Sequence, residues 1–107
     1  MFASVRTYRI ADGASVDDLM HRVDRDFAEA IAQEPGFIAY QCIDLGGGRI
    51  CSMSIFQTAA QAEESNEAAA EWVADALSDF GVQRMGVMGG EVAVSRAMSD
   101  MLEPAHH

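Results

Sequence analysis

The residues able to do chemistry fall into three groups. Ser4, Arg6 and Tyr8 alternate near the N-terminus, Ser52 and Ser54 alternate mid-chain, and Ser65, Asn66 and Trp72 share one later stretch. Arginine is a permanent cation with five donors, suited to a carboxylate or phenolate oxygen. Asparagine and serine both donate and accept, so they can orient a carbonyl or hydroxyl group. Tyrosine and tryptophan add flat apolar walls with a polar tip. Together these residues could recognise a small acidic or aromatic molecule. They could equally serve the fold. Arg6 would then pair with Glu91 or Asp44, Asn66 would cap a loop, and Tyr8 and Trp72 would be ordinary core or rim aromatics.

Other chemistries find no support. Neither His-x-x-x-His nor Cys-x-x-Cys occurs, so no metal site is expected. No Gly-x-Gly-x-x-Gly follows a strand and no Gly-x-Ser-x-Gly is present. No cofactor is expected. His21 falls on the polar side of its helix, and His106 and His107 end the chain. The net charge is −10, with 7 basic and 17 acidic residues. That excludes a nucleic-acid partner, which needs a basic footprint, and disfavours anionic membranes. Half of the 107 residues are hydrophobic, too many for a disordered chain. No apolar run is long enough to span a membrane. Arg6 and Arg9 interrupt the N-terminal apolar stretch, so a signal peptide is not expected and a cytoplasmic location is. Cys42 and Cys51 read as reduced core residues, though a suitable strand register would allow one bridge.

Hydrophobic patterning supplies the elements that must position these groups. Residues 2–10 form a strand ending at Asp12-Gly13. Ser15 is placed to cap a helix, with Val16, Leu19, Met20, Val23, Phe27, Ala30 and Ile31 on its apolar face. Pro35-Gly36 stops it. Residues 37–45 and 49–56 are two strands joined by Gly46-Gly47-Gly48. Thr58 caps a second helix whose stripe is Ala62, Ser65, Asn66, Ala69, Val73, Ala76, Leu77 and Phe80, with Gly81 at its end. The last strand runs from about Val82 to Ala97, and Gly89-Gly90 in its middle suggests a bulge or a break. The βαββαβ order predicts an α+β ferredoxin-like sandwich, a four-stranded antiparallel sheet with both helices on one face. Residues 1–97 make one domain and 98–107 a tail.

Two helices cover one side of such a sheet. A monomer would make the other side polar. Here residues of both parities are apolar: Phe37, Ala39, Ile43 and Leu45, but also Ile38, Tyr40 and Cys42. A bare face of that kind is rarely tolerated in a monomer. The expected cover is an identical subunit, giving a homodimer through the sheet face.

This organisation resembles the antibiotic-biosynthesis-monooxygenase type of dimeric α/β barrel. The residues that carry the resemblance are Arg6-Thr7-Tyr8-Arg9-Ile10 before Asp12-Gly13, Pro35 through Tyr40, Ser54 through Thr58, and Gly90-Glu91-Val92. The family implies a site between helices and sheet. Some members oxidise phenols to quinones with O₂ and no cofactor, others degrade haem, and many have no known reaction. The quinone-forming members carry Asn-x-x-x-Trp on the third strand, where this chain has Ser52 and Phe56. The haem-degrading members carry an asparagine where this chain has Arg6, and a histidine on the second helix, where residues 58–80 contain none. Aligned this way, Arg6, Tyr8, Ser52, Asn66 and Trp72 become the candidate ligand-binding residues, with Ser4, Ser54 and Ser65 beside them. The expected function is a cofactor-independent monooxygenase for a small phenolic or quinol-type substrate. The alternative is a non-catalytic dimeric module binding a small aromatic or acidic metabolite. A cavity of roughly 300 Å³ or more would favour ligand binding, and a pocket plugged by Phe56, Met85 and Met88 would favour an inert module.

Overall fold

The computed structural model describes residues 1–98, so the expected tail, with His106 and His107, lies outside the described residues except for Met98. Four strands form one antiparallel sheet: β1 (Phe2–Arg9), β2 (Phe37–Gly46), β3 (Arg49–Phe56) and β4 (Gln83–Glu91). Their spatial order is β2-β3-β1-β4. One helical stretch, α1 (Val16–Arg22) through α2 (Ala28–Ile31), lies between β1 and β2, and α3 (Ala59–Ala76) lies between β3 and β4. This is the expected α+β ferredoxin-like order.

The register fixes which side chains look at the helices. Ser4, Arg6 and Tyr8 pair with Ser54, Ser52 and Ile50 across β1 and β3, and all six are buried. Between them the pleat sends Val5, Thr7, Cys51 and Met53 to the other face. Leu19, Val23, Phe27 and Ile31 descend from the first helical stretch onto this layer, and Ala62, Ala69, Leu77 and Phe80 come from α3 and the short turn after it. Phe56 is fully buried at the centre of one cluster.

Four details depart from the sequence reading. The first helical stretch is not a uniform α-helix, because residues Val23–Phe27 form a wider π turn. Its buried residues are spaced by four at each step, from Leu19 to Ile31. On a regular helix that spacing drifts by about 40° per step. The π turn absorbs the drift and keeps all four on the sheet. It also turns Ala30, expected in the apolar stripe, out to solvent. Secondly, α3 stops at Ala76, and Ser78–Phe80 make a tighter turn before Gly81, at φ 61°. Arg22 donates to the Ala76 carbonyl at 2.8 Å and lies over the Phe80 ring, filling the end of α3 with a cation from the other helix. Thirdly, β4 ends at Glu91 rather than Ala97, because Glu91 already pairs with Phe2, the first residue of β1. Finally, the β4 bulge falls at Met85, between the Tyr8–Arg84 and Thr7–Gly86 pairs, not at Gly89-Gly90.

The hairpin between β2 and β3 turns on Gly47 and Gly48, at φ 62° and 77°. Both central residues of that two-residue turn need positive φ, which glycine adopts without steric cost. A bulge at Ile38 lets both Phe37 and Tyr40 point to the helices, which accounts for part of the broken alternation in β2. Cys42 opposes Ser52 on the helix side, whereas Cys51 opposes Ile43 on the open side, and both thiols are free. The register therefore rules out the bridge.

Among the described residues no element covers the second face of the sheet. It carries Val5, Met53, Ile55, Ala39, Ile43 and Met88, with Ile43 44% and Met88 64% exposed. Among the described residues no helix is long and apolar enough to cross a membrane.

Candidate functional site

The polar residues of β1, β3 and α3 converge in one layer. Arg6 is wholly buried at its centre. Its Nε donates to Ser52 Oγ at 3.0 Å, Nη2 to Ser54 Oγ at 2.6 Å, and Nη1 to Asn66 Oδ1 at 2.7 Å. Ser4 Oγ donates to the same Asn66 oxygen at 2.6 Å. Ser65 turns its hydroxyl back to the Ala62 carbonyl at 2.6 Å. Every buried side-chain polar atom among the described residues has a partner.

These acceptors satisfy the donors of Arg6 without neutralising its charge. The two carboxylates considered for it lie elsewhere. Glu91 sits 4.0 Å from the N-terminal amine, and Asp44 accepts from the Gly46 amide at 2.9 Å. Among the described residues no carboxylate forms an ion pair with Arg6. Burial pulls the guanidinium below its usual range, the Tyr8 and Tyr40 phenols partly oppose this, and Arg84 adds to it. Asn66, half-buried, joins α3 to the layer rather than capping a loop.

Beside this layer lies an apolar cavity of about 30 Å³. Tyr8 and Ser52 form its sheet wall with Tyr40 and Cys42, and Trp72, Phe27 and Val23 form its helix wall. Thus Tyr8, Ser52 and Trp72 line the cavity, while Arg6 and Asn66 stand behind that lining and hold each other. Its aromatic groups pack on one another: Phe27 meets Tyr40 edge-on at 5.4 Å and Trp72 at 5.3 Å. Phe56, Met85 and Met88 do not plug it. Phe56 packs against Phe37 outside the lining, and Met85 and Met88 are 58% and 64% exposed. The volume admits water but is far below the usual few hundred Å³ of a ligand cleft. A ring can enter only if some of the lining moves aside. Burial pushes the Cys42 thiol up to about 11 and raises the Tyr40 phenol further above its usual range. Neither is a base at neutral pH. His21, with Nδ1 2.7 Å from the Asp17 carbonyl, is exposed and distant from this layer.

The sequence reading missed Tyr40, Cys42 and Arg84. The Ile38 bulge hid the parity of the first two, and the Met85 bulge hid that of Arg84. Arg84 lies over the Tyr8 ring, 5.8 Å from its centroid, and donates to the Asn66 carbonyl at 3.2 Å.

Comparison with solved structures places this architecture. The chain adopts the fold of antibiotic biosynthesis monooxygenase-like proteins. A candidate antibiotic biosynthesis monooxygenase from Deinococcus radiodurans is 20% identical, with 92% of this chain and 98% of that one aligned at a TM-score of 0.65. A mutant of SnoaB, a cofactor-independent oxygenase from Streptomyces nogalater, is 10% identical over 88% and 94% of the two chains, at 0.63. A dimeric ferredoxin-like protein from an uncultured marine organism is 11% identical over 91% and 98%, at 0.67. No family model matches the chain, and neither does any curated protein sequence.

Proposed function

We propose that the chain is a two-fold dimer whose helix-side cavity opens to take a small phenolic or quinol-type compound, which then reacts with O₂ without a cofactor. Arg6 is the observation that carries this reading. It is a fully buried cation with only neutral partners, one of which, Ser52, is itself part of the cavity wall. An uncompensated charge in a poorly hydrated interior favours an anion beside it. The ligand's phenol would therefore lose its proton to solvent on binding and be held as the phenolate. Ser52 and Tyr8 would orient it, and Trp72 and Phe27 would shut out water. The phenolate is the electron donor. One oxygen atom of O₂ enters the ring as a quinone carbonyl and the other leaves as water, so O₂ is the sole oxidant. SnoaB, which shares the fold, is a cofactor-independent oxygenase, and the marine protein is dimeric.

Two observations favour a second reading, a non-catalytic dimeric module that only binds such compounds. The cavity is small, and Ser52 and Phe56 stand where quinone-forming relatives are expected to carry Asn and Trp. Oxygen uptake with a panel of hydroquinones and dihydroxynaphthalenes separates the two. The oxygenase reading expects protein-dependent uptake that falls in Arg6→Met. Saturable binding with no uptake leaves the binding module. Neither binding nor uptake ends both.

A further inference from the structure

Arg84 has no part in the reading above, yet it stands at the edge of the same cavity. It lies on β4 opposite Tyr8, two residues after Val82, and both Tyr8 and Val82 line the cavity. Its Nη2 is 3.5 Å from the Tyr8 hydroxyl and 3.2 Å from the Asn66 carbonyl. Asn66 thus receives one guanidinium on its side chain, from Arg6, and another on its backbone, from Arg84.

Two cations therefore flank Tyr8, one buried and one exposed, with no carboxylate ion-paired to either among the described residues. Like charges this close disfavour each other unless something negative joins them. Arg84 is exposed, and among the described residues only its Nη2 makes hydrogen bonds, so its other donors are free to meet a ligand beside Tyr8. A guanidinium presents paired donors that match a planar carboxylate.

We infer that Arg84 makes the cavity selective for an aromatic ligand bearing a carboxylate, with the ring inside and the carboxylate at the Arg84 end. This rests on the cavity being a ligand site, and it adds a specificity residue and a substrate class. The chain's overall charge of −10 repels anions at long range, so the selectivity is a short-range effect of this one contact.

The test is isothermal titration of wild type, Arg84→Gln and Arg84→Lys with 4-hydroxybenzoate and its neutral isostere 4-hydroxybenzamide. Wild type binds the carboxylate about tenfold or more tightly than the amide, the size of one charge-assisted hydrogen bond. Arg84→Gln loses that preference while its affinity for the amide stays within about twofold, which also shows that the variant is folded. Arg84→Lys retains a reduced preference, because it keeps the charge and loses the fork. Equal affinities in wild type, or an undiminished preference in Arg84→Gln, overturn the inference and leave the cavity reading intact. If wild type binds neither compound, the cavity reading fails and the inference fails with it.

Discussion

In part the two faces of the sheet invert the usual distribution of polarity: a polar cluster lies within the apolar core on one, and apolar side chains meet solvent on the other. The side buried under the helices holds Arg6, Ser4, Ser52 and Ser54, every one paired. The side open to solvent holds Val5, Met53, Ile55, Ile43 and Met88. A monomer folding for stability alone would do the reverse. An apolar face left in water gains nothing, and an interior cation costs desolvation. On the reading proposed above, each face answers to something beyond its own chain. A second copy suits the open face, and an anionic ligand suits the buried one.

The largest expected effect is on the buried side. Arg6→Ala removes a fully buried side chain and strands the acceptors around it, for a loss of about 3–5 kcal/mol in urea unfolding. Arg6→Met fills most of that volume without a charge, and should recover much of the loss. If Arg6→Met is as damaging as Arg6→Ala, the charge stabilises the fold and the contrast between the faces weakens. On the open side, Val5→Glu puts a charge at the middle of the sheet, between Met53 and Met88. It should convert the proposed dimer to monomers by light scattering while leaving the circular dichroism of the helices unchanged.

The fold was legible because it rests on the period and parity of apolar residues. The alternation of Ser4, Arg6 and Tyr8, and of Ser52 and Ser54, named the buried face of the two central strands. The edge strands were harder to read. One extra residue, Ile38 in β2 and Met85 in β4, flips everything beyond it, and neither bulge is marked by glycine. The spacing of Leu19, Val23, Phe27 and Ile31 fits the π turn, but it also fits an ordinary amphipathic helix, which is how it reads in the sequence. The cavity's size was not readable. It depends on how the rings of Phe27, Tyr40 and Trp72 meet, and spacing along a chain does not specify that.

Smaller effects sharpen the comparison. The raised Cys42 and Tyr40 values mean that the folded state keeps protons the unfolded chain releases. Their contribution is full below about pH 9, and for Cys42 it is lost as pH rises towards about 11. Stability should fall across that window, and Cys42 should resist alkylation below it, read by mass spectrometry of the modified peptides. Smallest is the helix cap. Thr58 Oγ1 accepts from Gln61 N at 3.2 Å, and Gln61 Oε1 accepts from Thr58 N at 3.2 Å, just beyond the end of β3. Thr58→Ala should cost about 1 kcal/mol, a drop of about 4–8 °C in Tm, with no change in oligomeric state.

The most direct test of the inverted sheet is the mass of the wild-type chain in solution at micromolar concentration, measured by light scattering. Twice the 11.5 kDa chain mass is the expected result. A single species at the chain mass, with the apolar face open to water, would contradict the account.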